Sequence, residues 1–273
     1  MVEIIEEQLF RLREEMQREH LSAVIIPTTD AHLRERTTAT AVVTMKEHQL
    51  MEDGGASAIA EWLSSPRRDM DGTEIAIDGN SCSIRTVRQL MAELRQHGGM
   101  TLRTNFDPLR FVNIERRPLP QTANPIALTG ESILSKLTRI RQALREQHAD
   151  GMLMARLSDI AWTLNLQDAS VFTGYLLISS RSATLYINKC PLQISLQGGS
   201  DFRIDDYAHV KNGLKDYFEY NILMDPDEVN FALYDFMKRE GVRREGVKSP
   251  VKIVEAPSPM CRLLASAPTV PRY

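Results

Sequence analysis

The feature that most constrains the fold of this chain is an internal repeat. An amphipathic stretch ending Met16-Gln17-Arg18-Glu19-His20 runs into apolar Ala23-Val24-Ile25-Ile26-Pro27, and Leu144-Arg145-Glu146-Gln147-His148 runs the same way into Gly151-Met152-Leu153-Met154-Ala155. Farther on, Val43-Thr44 followed by Leu50 has its counterpart in Leu177-Ile178-Ser179 followed by Leu185. Each copy predicts a helix passing into a buried strand, so the chain reads as one α/β unit used twice. Neither copy carries a complete catalytic constellation.

The periodicity between these landmarks alternates. Ile5, Leu9, Leu12 and Met16 form the apolar stripe of a helix laid on a sheet, and Val24 to Pro27 comes next as a buried strand. Residues 41–44 and 49–51 flank the polar tip Lys46-Glu47-His48 and predict a hairpin. A short helix over 56–64 and a strand over 74–79 come after it. A helix carrying Ile84, Val87, Leu90, Met91 and Leu94 then ends at Gly98-Gly99, and a strand over 100–104 closes the unit. Pro118, Pro120 and Pro125 suit an extended linker.

The second unit repeats the order, with a helix over 129–148, a strand at Met152-Leu153-Met154, a helix over 158–166, and a hairpin over 175–179 and 183–188. Asp225-Pro226-Asp227-Glu228 has the form of a helix start, with Asp225 as N-cap and Glu228 at the capping-box position. Prolines 257, 259, 268 and 271 exclude a regular helix and predict an extended or disordered tail. The expected domains are 1–122, internally shortened, and 123–256, with the tail over 257–273.

Composition excludes several classes of function. With 273 residues, 42% hydrophobic and 25% charged, the chain is globular and long enough for two cores. A net charge of −3 gives no electrostatic footprint for nucleic acid. Cys82, Cys190 and Cys261 are odd in number and form no C-x-x-C pair, so no disulfide framework or zinc knuckle is expected and a reducing cytoplasm fits. Neither a signal peptide nor an apolar run of ~18 residues is evident, so no membrane partner is expected.

Five segments in order carry a resemblance. Ile26-Pro27-Thr28-Thr29-Asp30-Ala31-His32, Ile75-Ala76-Ile77-Asp78, Arg116-Arg117-Pro118-Leu119-Pro120, Leu157-Ser158-Asp159-Ile160-Ala161-Trp162-Thr163-Leu164-Asn165-Leu166 and Ser249-Pro250-Val251 resemble successive landmarks of the Xaa-Pro aminopeptidases (aminopeptidase P). The resemblance implies an α/β fold of two tandem, related creatinase/aminopeptidase-P N-terminal-like domains, each a mixed β-sheet flanked by helices. In the family a "pita-bread" metallopeptidase domain comes third, where a dinuclear manganese-type centre activates water for attack on an Xaa-Pro bond. None of that centre's positions falls in this chain, so no cofactor and no catalytic residue is assigned here. The segment after His32, another after Gly55 and the loop after Leu166 are all shorter than the family pattern.

The resemblance also implies the candidate site. The loop opened by Asn165 and Asp168 faces the family's catalytic cleft, making Trp162, Asn165 and Asp168 substrate-rim candidates, with core burial the plainer role for Trp162. Asp30, His32 and Glu35 are the candidate metal set, against the plainer role of a strand-end Asp capping a helix. His20 and His148 occupy matching helix ends, where the C-terminal dipole favours an imidazolium. Gly241-Val242-Arg243-Arg244-Glu245-Gly246-Val247-Lys248-Ser249 falls one residue outside a phosphate-binding loop and reads as a helix C-cap at Gly241 and a turn at Gly246. The expected role is that of a noncatalytic amino-terminal portion acting in self-association or gating, with a second copy or a catalytic-domain partner and proline-containing peptides as its contacts. The alternatives are a truncated metallo-aminopeptidase and a stand-alone peptide-binding or scaffold module.

Overall fold

A computed structural model of the chain describes residues 2–27, 29–33, 39–52, 55–65, 72–111, 131–166, 172–188, 202–215, 221–243 and 252–265. It contains two compact units, Met1–Arg117 with Asn230–Ala232, and Pro118–Val229 with Leu233–Tyr273. The predicted linker lies outside the described residues.

The first unit runs α1 (Val2–Arg18), β1 (Ala23–Ile26), β2 (Thr40–Thr44), β3 (His48–Met51), α2 (Ala56–Ser64), β4 (Glu74–Ile77), α3 (Ile84–Gly98) and β5 (Thr101–Arg103). Its sheet has the order β3-β2-β1-β4-β5. The β1–β2 and β2–β3 pairs are antiparallel, whereas β1–β4 and β4–β5 are parallel. Leu12 and Met16 of α1 pack on Val24, Val43 and Ala76 on one face of this sheet. The alternating residues Ala23, Ile25, Val42, Ile75 and Ile77 are buried too, so both faces are covered, as parallel pairing requires.

The second unit runs α4 (Ile133–Glu146), β6 (Gly151–Met154), α5 (Leu157–Thr163), β7 (Gly174–Ser179), β8 (Ala183–Ile187), β9 (Phe202–Asp206), α6 (Val210–Lys215), β10 (Asn221–Met224), α7 (Phe231–Arg243), β11 (Lys252–Glu255) and α8 (Met260–Ala265). Its sheet order is β11-β10-β6-β7-β8-β9. Parallel β10–β11 and β10–β6, with antiparallel β6–β7 and β7–β8, give the same five-strand order and directions as the first unit. Strand β9 is an addition, parallel to β8. Ile140 and Leu144 of α4 and Ile160 of α5 pack on Met152, Met154, Leu176, Ile178 and Leu185. Each such fully buried side chain contributes about 1.5–3 kcal/mol.

The matching helix ends have a backbone cause. His20 and His148 both adopt left-handed backbone, at φ 57° and 56°. The next amides along, Leu21 and Ala149, donate back to the Met16 and Leu144 carbonyls at 2.8 and 3.0 Å. These are Schellman-type ends, in which one left-handed residue lets the chain turn from helix into strand while its last carbonyls stay bonded. In α6, Gly213 answers a close approach, because a Cβ there would collide with Tyr186 Oη.

Three expectations are corrected. Asp225 does not cap a helix, since α7 begins at Phe231. Its Oδ1 instead accepts from Asp227 N at 2.9 Å in a turn, while its Oδ2 accepts from Ser258 N at 2.6 Å, so the carboxylate clamps two loops. Helix α7 continues past Gly241 to Arg243. The tail contains α8, because Pro259 stands before the first helical residue, where its missing N–H costs nothing and its carbonyl accepts from Leu263 N at 3.1 Å. Met260, fully buried, fixes α8 to the core of the second unit.

Candidate functional site

Two polar clusters in the second unit interrupt otherwise apolar elements. The first lies where α4 meets the end of α5. Lys136 stands between Ile133 and Ile140 on the buried stripe of α4, and is itself only 6% exposed. Its Nζ donates to Trp162 O at 2.6 Å and to Asn165 Oδ1 at 2.5 Å, and lies 4.4 Å from the centroid of the Trp162 ring. Asn165 adopts left-handed backbone at φ 54°, which turns its side chain back so that Nδ2 donates to Glu131 O at 3.3 Å. Arg139, one helical turn beyond Lys136, pairs with Glu131 at 2.6 Å and stands 6.0 Å from the Trp162 ring.

This arrangement presents half-buried Trp162 as an aromatic plate with two cations against it. Burial holds the Lys136 ammonium below its ordinary pKa, with Arg139 acting in the same direction and Glu131 against both. The three substrate-rim candidates therefore separate. Trp162 and Asn165 meet through Lys136, whereas Asp168 lies outside the described residues.

The second cluster sits past the carboxyl ends of the parallel strands β6 and β10. Asp159 is 1% exposed, and its Oδ2 has no hydrogen-bond partner among the described residues. Glu228, also buried, pairs with the exposed Arg156 guanidinium at 3.0 Å. Burial pushes the Glu228 carboxyl up to about 7 although Arg156 pulls it down, and Asp225, Asp159 and Asp227 add to the rise. Asp159 is raised as well, by burial first, with Asp225 adding and Arg156 and the Ser158 hydroxyl opposing. Desolvation outweighs the ion pair because Arg156 keeps its charge in solvent.

In the first unit, Asp30 Oδ1 accepts from His32 N at 2.9 Å in an Asx-turn, His32 is buried, and Glu35 lies outside the described residues. No group of three His, Cys, Asp or Glu among the described residues could hold a metal ion. The described residues thus offer no donor set for a dinuclear manganese-type centre. Burial pushes the Cys82 thiol up to about 12, with Asp78 adding, so that this sulfur stays protonated and unreactive. Cys190 lies outside the described residues. No helix among them is long and apolar enough to cross a membrane.

Sequence reasoning passed over Lys136, Asp159 and Glu228. The first two carried a signal, since Lys136 breaks the stripe of α4 and Asp159 stands between Leu157 and Ile160 in a short apolar helix. Glu228 was hidden by its fit to a capping box.

Comparison with known proteins matches residues 116–261 to the model of the creatinase/prolidase N-terminal domain. The chain is 25% identical to Xaa-Pro aminopeptidase 2 of Rattus norvegicus over 91% of its own length and 45% of the relative's. It is 27% identical to a probable Xaa-Pro aminopeptidase P of Fusarium vanettenii over 68% of its length and 37% of the relative's. A solved X-prolyl aminopeptidase of Caenorhabditis elegans, described as a cytosolic enzyme with a di-nuclear active site, superposes with a TM-score of 0.71 at 18% identity. That match covers 86% of this chain and 49% of the other. The chain thus spans less than half the length of each of these relatives.

Proposed function

Because this chain belongs to the creatinase/prolidase N-terminal domain family, we propose that it acts as the noncatalytic amino-terminal portion of an Xaa-Pro aminopeptidase-like protein. Copies of the chain self-associate, and the chain borders or gates a peptide site that another domain or partner supplies. Trp162 and Asn165 form part of the rim of that site, held by Lys136, and Asp168, three residues after Asn165 in sequence, is the third rim candidate. An aromatic plate of this kind suits the flat, apolar ring of a proline-containing peptide. Hydrolysis belongs to the partner, whose dinuclear centre activates the water. The description of the nematode relative as cytosolic supports a cytoplasmic setting.

The observation that carries this reading is the match of more than half the chain to an N-terminal domain, within relatives more than twice its length. Incubating the purified chain with manganese and an Xaa-Pro peptide tests it. No release of the N-terminal residue is expected. Release that a chelator abolishes overturns the noncatalytic role and favours a metallo-aminopeptidase instead.

A further inference from the structure

The four sheet edges differ in one respect that bears on self-association. Identical strands pairing antiparallel about a two-fold axis have rungs that alternate between hydrogen-bonded and non-hydrogen-bonded types. Rungs related by the axis must be of one type, so only residues on the same face of the strand can meet their counterparts in the second copy. Two side chains of opposite charge can therefore pair only if they lie two or four positions apart.

Strand β9 meets this condition. It closes the second unit's sheet, and among the described residues no strand pairs with its outer edge. Arg203, Ile204 and Asp205 are all exposed, Ile204 by 43%. Arg203 has no hydrogen-bond or ion-pair partner among the described residues, while both contacts of Asp205, from His209 Nδ1 at 2.8 Å and Asp206 N at 2.7 Å, fall on its Oδ1 and its side chain stays 47% exposed. Centring the axis on Ile204 sets Arg203 of each copy opposite Asp205 of the other, and Ile204 opposite itself.

The other edges do not offer this. Lys252 and Glu255 of β11 stand three apart, on opposite faces, and Glu255 already accepts from Tyr234 Oη at 3.1 Å. In β3, His48-Gln49-Leu50 carries no opposed charges. In β5, Arg103 has no acid on its own strand and binds Glu19 at 2.8 Å.

We infer that β9 is the self-association edge of this chain, joining two copies by antiparallel pairing about Ile204 with reciprocal Arg203–Asp205 contacts. This rests on the proposed self-association and names its surface. A pair of five-residue strands buries well under the roughly 1,200 Å² of a stable interface, so the association is weak and reversible.

Sedimentation velocity over a concentration series tests it, with circular dichroism of each variant as the check on folding. Arg203→Asp and Asp205→Arg each place like charges opposite one another in a self-pair, and each weakens association by about tenfold or more. Mixing the two variants sets the acidic edge of one against the basic edge of the other. The mixture is expected to associate at least as well as the native chain, which variants damaged in folding would not do. Native chain that associates while the single variants remain unaffected, or a mixture that stays apart, overturns the β9 assignment alone. Native chain that stays monomeric at the highest concentration overturns self-association itself.

Discussion

The two units share five strands in one order and one set of directions, yet they bury different things. The buried polar groups of the first, Ser22, Thr44, Ser83, His32 and Asn230 among the described residues, include no Lys, Arg, Asp or Glu. The second encloses Lys136, Asp159, Asp225 and Glu228. A single sheet plan is thus packed once with no buried Lys, Arg, Asp or Glu among the described residues and once around four such side chains, and it is the second packing that brings Trp162 and Asn165 together. The fold sets where strands end, and the side chains set at those ends decide whether anything polar happens there.

The sharpest way to break this contrast is to remove its largest buried cation. Lys136→Ala leaves Asn165 Oδ1 without its donor, takes the ammonium from Trp162 O, which keeps the Asn165 amide at 3.3 Å, and opens a void under the Trp162 ring, and should cost the second unit about 2–4 kcal/mol. The counterpart in the repeat is Gln8, at the same distance before His20, and Gln8→Ala should cost the first unit less than about 1 kcal/mol. Native-state hydrogen exchange at the amides of β6 and β1 reads the two units separately. Equal losses would show that Lys136 is held no more firmly than a surface side chain.

The next effect is smaller and depends on pH. The folded chain holds a proton on Glu228 up to about pH 7, while the unfolded chain gives it up near the ordinary value of 4.5. The stability linked to this proton is therefore fully present below about pH 4.5 and is lost as pH rises through 7. Asp159 acts in the same direction. Glu228→Gln should flatten the decline and raise the stability of the second unit at pH 8 by about 2 kcal/mol. Urea denaturation at pH 5 and pH 8 measures it, and a variant that is less stable at both values would mean that the ion pair with Arg156 outweighs the burial.

The smallest effect should be the same in both units. His20→Gly and His148→Gly relieve matching left-handed backbone at φ 57° and 56°, and each should stabilise its own unit by about 0.5–1 kcal/mol. Unequal gains, measured by the same exchange experiment, would show that the two helix ends are alike in outline only.

How much the sequence disclosed depends on how local each cause is. The stripes of α1, α3 and α4, the buried strands β1, β4 and β6, and both hairpins were legible, because period and turn chemistry specify them within a few residues. Trp162 and Asn165 were reached through a family landmark. Asp225 was misread because an aspartate before proline fits either a cap or a turn, and only the amide of Ser258, distant in sequence, decides between them. Helix α8 was missed because its two flanking prolines were taken to act within it, and its stability comes from Met260 in a core formed by other elements. Strand β9 was not anticipated: its exposed Arg203 and Asp205 give no buried alternation, and its place is set by pairing with β8.

A noncatalytic role requires that this repeated fold carry no metal centre of its own. Calorimetric titration of the metal-free chain with manganese tests that most directly. No stoichiometric uptake is predicted up to millimolar ion. Saturable binding of two ions per chain at micromolar concentration, lost on replacing named carboxylates within these residues, would contradict it.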